Sequence, residues 1–96
     1  MTPEEIAREI LEEREKQKRK GWKAAQDDLH TRGELANAAA AYAAADTPYT
    51  WNGVPLYPWP WKQRSKDRRH CLLIAAALII AEIERLDRRK ERNHGQ

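Results

Sequence analysis

The sequence predicts an all-α fold: a three-helix, bundle-like single domain with a long Trp/Pro-rich loop between its second and third helices. Two Thr-x-x-Glu capping boxes, Thr2/Glu5 and Thr31/Glu34, each stand where a helix can open. Residues 36–45 are almost all alanine, the strongest helix former. Residues 67–92 carry apolar side chains at helical spacing with no glycine or proline to interrupt them. A chain of 96 residues is one domain.

The first helix, about 3–20, begins at Thr2 with Pro3 in the first turn. Ile6, Ala7, Ile10 and Leu11 give it a narrow apolar stripe. Residues 12–20 are almost entirely charged, and the basic run 16–20 followed by Gly21 suits a helix C-terminus. Residues 21–31 form a connector. The second helix, about 32–45, has Leu35 and Tyr42 as its large apolar side chains, so its alanines predict close packing against a neighbour.

Residues 46–64 hold four of the five prolines and three of the four tryptophans. Their spacing excludes helix, and Asn52–Gly53 is a turn signal. A loop of this length inside a small domain points to function. The third helix, about 67–92, starts at Asp67 as its N-cap and spans roughly 39 Å. Leu72, Leu73, Ala76, Ile79, Ile80, Ile83 and Leu86 form its main stripe, while Ile74, Ala75, Ala77, Leu78 and Ala81 fill other faces. A helix apolar all round is buried all round, and two thin partner helices cover one side only. The expectation is a homo-oligomer through Leu72, Ala76, Ile79, Ile80 and Ile83. The competing expectation is that the Trp loop covers that second side.

Composition narrows the class of function. Hydrophobic residues are 41% and charged residues 34%, which fits a folded domain and not a disordered tail. Lys and Arg total 18 against 15 Asp and Glu, a net charge of +3. That excess suits a small anionic ligand better than a nucleic acid, which calls for a stronger basic stripe. The apolar run 71–81 is too short to span a bilayer, so no membrane partner is expected. The single cysteine, Cys71, excludes an internal disulfide. The start of the chain does not read as a signal peptide, and the expected location is the cytoplasm of a bacterial cell.

Three constellations carry chemistry. Asp27-Asp28-Leu29-His30, with Glu34, has side chains that bind ions, do acid–base work or hydrogen-bond a ribose or base. Its spacing matches no standard metal signature, so no metal or cofactor is assigned. The same residues suit plain capping and packing. Trp59-Pro60-Trp61-Lys62, followed by Arg64, Lys66, Arg68 and Arg69, joins flat stacking faces to phosphate-binding cations. Arg68 and Arg69 fall in a first helical turn, where cations oppose the helix dipole, so a use other than helix stability is expected. Packing of the tryptophans and ion pairing of the arginines is the alternative. Glu9/Glu12 and Glu84/Asp87 are carboxylate pairs at i, i+3 that could face a Mg²⁺ or simply pair with nearby bases.

The order Glu13-Arg14-x-x-Gln17, Gly21-Trp22, Asp27-Asp28-x-His30, Gly33-Glu34-Leu35-Ala36, Ala40-x-Tyr42-Ala43, Trp59-Pro60-Trp61 and Arg68-Arg69, closing on residues 76–88, resembles a family of small phage and prophage proteins. The resemblance covers about residues 13–88. The chain departs from that pattern at Lys62, which is followed by Gln63 where relatives often carry a second Trp and a Pro. Accessory proteins of this kind often counter host defence, some as oligomers that sequester a nucleotide signal. The resemblance therefore implies a binding protein without turnover for a cyclic dinucleotide or ADP-ribose type ligand. Its expected contacts are Trp22, Asp28, His30, Tyr42, Trp59, Trp61, Lys62, Arg68 and Arg69. Two alternatives stay open: a MazG-like, Mg²⁺-dependent nucleotide pyrophosphohydrolase using the carboxylate pairs, and a protein-directed inhibitor of host defence.

Overall fold

A computed structural model describes residues 1–20, 27–29, 31–44 and 67–94 of the chain. These form three helices and no strand: α1 (Pro3–Arg19), α2 (Glu34–Ala43) and α3 (Arg68–His94). The all-α expectation holds. The Trp/Pro-rich loop, its Asn52–Gly53 turn and the Gly21 stop signal lie outside the described residues.

The three starts are capped in three ways. At α1, the Thr2 hydroxyl accepts the Glu5 amide at 3.2 Å and the Glu5 carboxylate accepts the Thr2 amide at 3.4 Å, as the capping box requires. At α2 the expected box does not form. The helix starts at Glu34 with Gly33 as its N-cap, in the left-handed region at φ 84°. The turn at Gly33 places Glu34 one residue into the helix, and its carboxylate accepts the Arg32 amide at 3.2 Å instead of pairing with Thr31. At α3, Asp67 caps as expected: its carboxylate accepts the Arg69 amide at 3.2 Å and its carbonyl accepts the Cys71 amide at 2.9 Å.

The apolar core joins α2 to the first half of α3. Leu35, Ala38, Ala39 and Tyr42 pack against Cys71, Ala75, Leu78 and Ala81, all of them buried. The Arg68 guanidinium donates to the Ala43 carbonyl, so the last turn of α2 meets the first turn of α3 and the helices run antiparallel. Alanine on both surfaces is what lets the axes approach. Cys71 is a free, buried thiol at this contact.

α1 lies alongside α3 in the same direction: Glu9 pairs with Arg69 and Lys18 with Glu84. Its apolar stripe is not what it buries. Ile6 is 39% exposed and Leu11 57%, whereas Arg14 and Gln17 are buried. The stripe fades too early to reach along α3, and polar side chains of the next two turns take over the contact.

α3 buries one face and exposes another. Cys71, Ala75, Leu78 and Ala81 point inward, while Leu72, Ile79, Ile83 and Leu86 stay about half exposed. The large residues of the stripe expected to meet a second copy thus lie on the outer face, and Ala76 and Ile80 flank them half-buried. Although 27 residues long, α3 is not apolar enough to cross a membrane, nor is any other described helix.

Candidate functional site

Arg14 sits at the centre of a buried polar network. Its side chain is 3% exposed and that of Asp27 is 1% exposed, and their guanidinium and carboxylate meet at 3.0 Å. The Arg14 Nε–H donates to Glu84 at 2.9 Å, and another of its N–H groups donates to the Gln17 side chain at 3.3 Å. Lys18 stands 3.8 Å from the other Glu84 oxygen. One arginine therefore ties α1, the turn containing Asp27 and the second half of α3 together. A buried cation so divided among two carboxylates and an amide is held in one geometry.

Asp28 extends the network outward. Its carboxylate accepts from Arg88 at 2.9 and 3.1 Å and from Arg92 at 3.1 Å. The Arg88 hydrogen bonds hold the Asp28 carboxyl below the usual carboxylate range, with Arg92 adding to the effect. The same contact raises the Arg88 guanidinium, helped by the charges of Asp27 and Glu84. Arg85, nearly buried, donates to Glu82 one turn back.

Arg68 and Arg69 lie at the other end of α3. Arg69 makes a two-pronged contact with Glu9, at 3.3 and 2.5 Å, with Arg69 exposed to solvent and Glu9 partly so. That contact lowers the Glu9 carboxyl and raises the Arg69 guanidinium. His70 stands 3.3 Å from the Glu13 carboxylate.

The expected ligand contacts fall into separate places. Asp28 is held by Arg88 and Arg92, and Arg69 precedes Arg88 by nineteen residues, about 28 Å along the helix. Within one chain, Asp28 and the Arg68/Arg69 pair do not share a pocket. Tyr42 is in the core, 6% exposed, so stacking on it requires displacing that packing. Trp22, His30, Trp59, Trp61 and Lys62 lie outside the described residues. The carboxylate pairs are separated too, since Glu9 is tied to Arg69 while Glu84 lies about 22 Å further along α3. Among the described residues no three His, Cys, Asp or Glu side chains gather as a metal ion requires.

Arg14, Gln17, Arg85 and Arg88 were not expected to be structural. Their signal is in the spacing. Cys71, Ala75, Leu78 and Ala81 continue at the same helical period into Arg85, Arg88 and Arg92, and Ile10 continues into Arg14 and Gln17. The inward face of α3 changes from apolar to charged without changing its period, and on α1 the half-buried Ile10 leads into the buried Arg14 and Gln17. An open groove of about 420 Å³ beside Leu86, Arg89, Lys90 and Asn93 contains none of the expected ligand contacts. No family model matches this chain, and neither a curated protein nor a solved structure matches it.

Proposed function

We propose that this chain is a small phage-type accessory protein that binds a nucleotide-derived signal, of the cyclic dinucleotide or ADP-ribose type, and sequesters it without turnover. The observation that carries the reading is the opening turn of α3. Arg68 and Arg69 sit there side by side and exposed, in a turn without an acidic residue. The helix start itself is already capped by the Asp67 carboxylate, so the attraction for phosphate comes from the two guanidinium groups. The exposed contact between Arg69 and Glu9 is of a kind that contributes little, so phosphate oxygens can compete for it. In sequence, Trp59, Trp61 and Lys62 precede this turn by only a few residues and supply stacking faces and a further cation. Asp28, held against the far end of α3 by Arg88 and Arg92, belongs to such a pocket only where a second subunit brings it there.

Calorimetry of the full chain against a panel of cyclic dinucleotides and cyclic ADP-ribose isomers, with the ligand recovered and identified afterwards, tests the reading. The expected result is micromolar or tighter binding, intact ligand, and at least a tenfold loss of affinity in the Arg68→Ala, Arg69→Ala variant. Absence of binding across the panel by folded protein would rule it out. Hydrolysed ligand in the presence of Mg²⁺ would instead point to the pyrophosphohydrolase reading.

A further inference from the structure

We infer that the outer face of α3 pairs with the same face of a second copy of this chain, in antiparallel order. The stripe is Leu72, Ala76, Ile79, Ile83 and Leu86, with exposures of 44%, 51%, 52% and 47% at the four large residues and Ala76 half-buried between them. Its steps are four, three, four and three residues, the 3.5-residue repeat of a coiled-coil seam. Arg69 and Lys90 continue the same repeat at the two ends. The half-exposed parts of four large aliphatic side chains amount to something on the order of 400 Å² of apolar surface, within the range of the largest patch on a monomer, which is often functional.

A helix with an apolar repeat of equal length, about 21 Å from Leu72 to Leu86, matches this stripe. Within the described residues α3 alone carries one. The apolar residues of α1 are confined to its first half, and the large ones of α2, Leu35 and Tyr42, are already buried against α3. A second copy supplies the matching stripe.

Side-chain volume and charge set the direction. In parallel order Ala76 meets the partner's Ala76 and leaves a void, while Arg69 meets the partner's Arg69 and Lys90 the partner's Lys90. In antiparallel order Ile79 packs beside the partner's Ile83 and Ala76 is filled by the partner's Leu86. Lys90 then lies along the partner's Leu72 with its aliphatic stem, and Arg69 is level with the partner's Asn93. Antiparallel helix dipoles are also the favourable arrangement. This order sets the Arg68/Arg69 end of one chain at the level of the partner's Asp28–Arg92 pair. The pairing itself does not depend on the ligand.

Sedimentation of the full chain from about 1 to 200 µM is expected to show a monomer–dimer equilibrium in the micromolar range, since the apolar seam is small for an interface. Ile79→Lys with Ile83→Lys is expected to raise the dissociation constant at least a hundredfold with helical circular dichroism unchanged, because both side chains are half exposed in the monomer. Orientation is read by oxidative cross-linking on otherwise unaltered chains. An Ala76→Cys chain mixed with a Leu86→Cys chain is expected to form the mixed disulfide. Leu86→Cys alone is expected to stay uncross-linked, because its mate is about 15 Å away along the seam. A monomer at every concentration would overturn the proposal, and would fit the Trp loop covering this face. Efficient self-cross-linking of Leu86→Cys would overturn the antiparallel order.

Discussion

Replacing Arg14 with methionine keeps much of the side chain's length and removes its charge, which makes it the sharpest probe of this fold. The Asp27 carboxylate it contacts is 1% exposed. Removing one member of a buried ion pair costs about 3–5 kcal/mol, because the remaining charge stays in a low-dielectric setting. Glu84, the other carboxylate, is 36% exposed and recovers hydration, so it adds little. An expected loss near 3 kcal/mol is a large share of the roughly 5–14 kcal/mol that a chain of this length holds. At ~4–8 °C per kcal/mol, it corresponds to a fall of about 12–24 °C in Tm. Thermal and urea unfolding, followed by circular dichroism at one fixed protein concentration, reads this directly. The control is Arg92→Met, whose side chain is 55% exposed and whose pair with Asp28 should cost under about 1 kcal/mol. In the double variant Arg14→Met, Asp27→Asn, the loss should be smaller than the sum of the two single losses, because the charge left behind by the first change is gone. Equal losses for Arg14→Met and Arg92→Met would refute the reasoning, since burial would then not be what makes the Arg14 contact valuable.

Acid should weaken the protein partly through Asp28. Its folded-state carboxyl lies below the ordinary value of about 3.9, so its contribution is complete above that value and is lost as pH falls through the folded one. The stabilities of wild type and Asp28→Asn should therefore differ near neutrality and converge in acid, once pH has fallen through the lowered folded-state value of Asp28. Gly33→Ala has open space for its Cβ, so its cost should be that of the left-handed backbone alone, about 1–2 kcal/mol by urea midpoint, with Gly33→Asn less affected. Leu78→Ala, at a fully buried site, should lose about 2–5 kcal/mol in the same assay.

Helix number, the caps at Thr2 and Asp67, and the alanine-mediated contact of α2 with α3 could be read from residue type and spacing. Those features are local, or rest on apolar side chains whose burial is their default. Spacing places Arg14 on the inward face of α1, but its partners could not be read that way. Binary patterning assigns arginine to solvent, and only the folded chain brings Asp27 and Glu84 to it from thirteen and seventy residues away. The start of α2 was misplaced for a related reason. Thr31 and Glu34 have the right spacing, but the positive φ of Gly33 decides where the helix begins. Likewise, the resemblance grouped Asp28 with Arg68 and Arg69 as contacts of one ligand. The length of α3 separates them, which no short-range motif encodes.

The change of chemistry along α3 divides the domain's cohesion in two. Its first half is held to α2 by alanine and leucine, and its second half is held to α1 and the Asp27–Asp28 turn by guanidinium–carboxylate contacts. Apolar contacts weaken on cooling, whereas the outer ion pairs weaken with added salt. Amide hydrogen exchange along this single helix should accordingly resolve two cooperative segments, with salt loosening residues near Arg88 before those near Ala75. A continuous helix would then behave as two independently adjustable clamps, one set by temperature and the other by ionic strength.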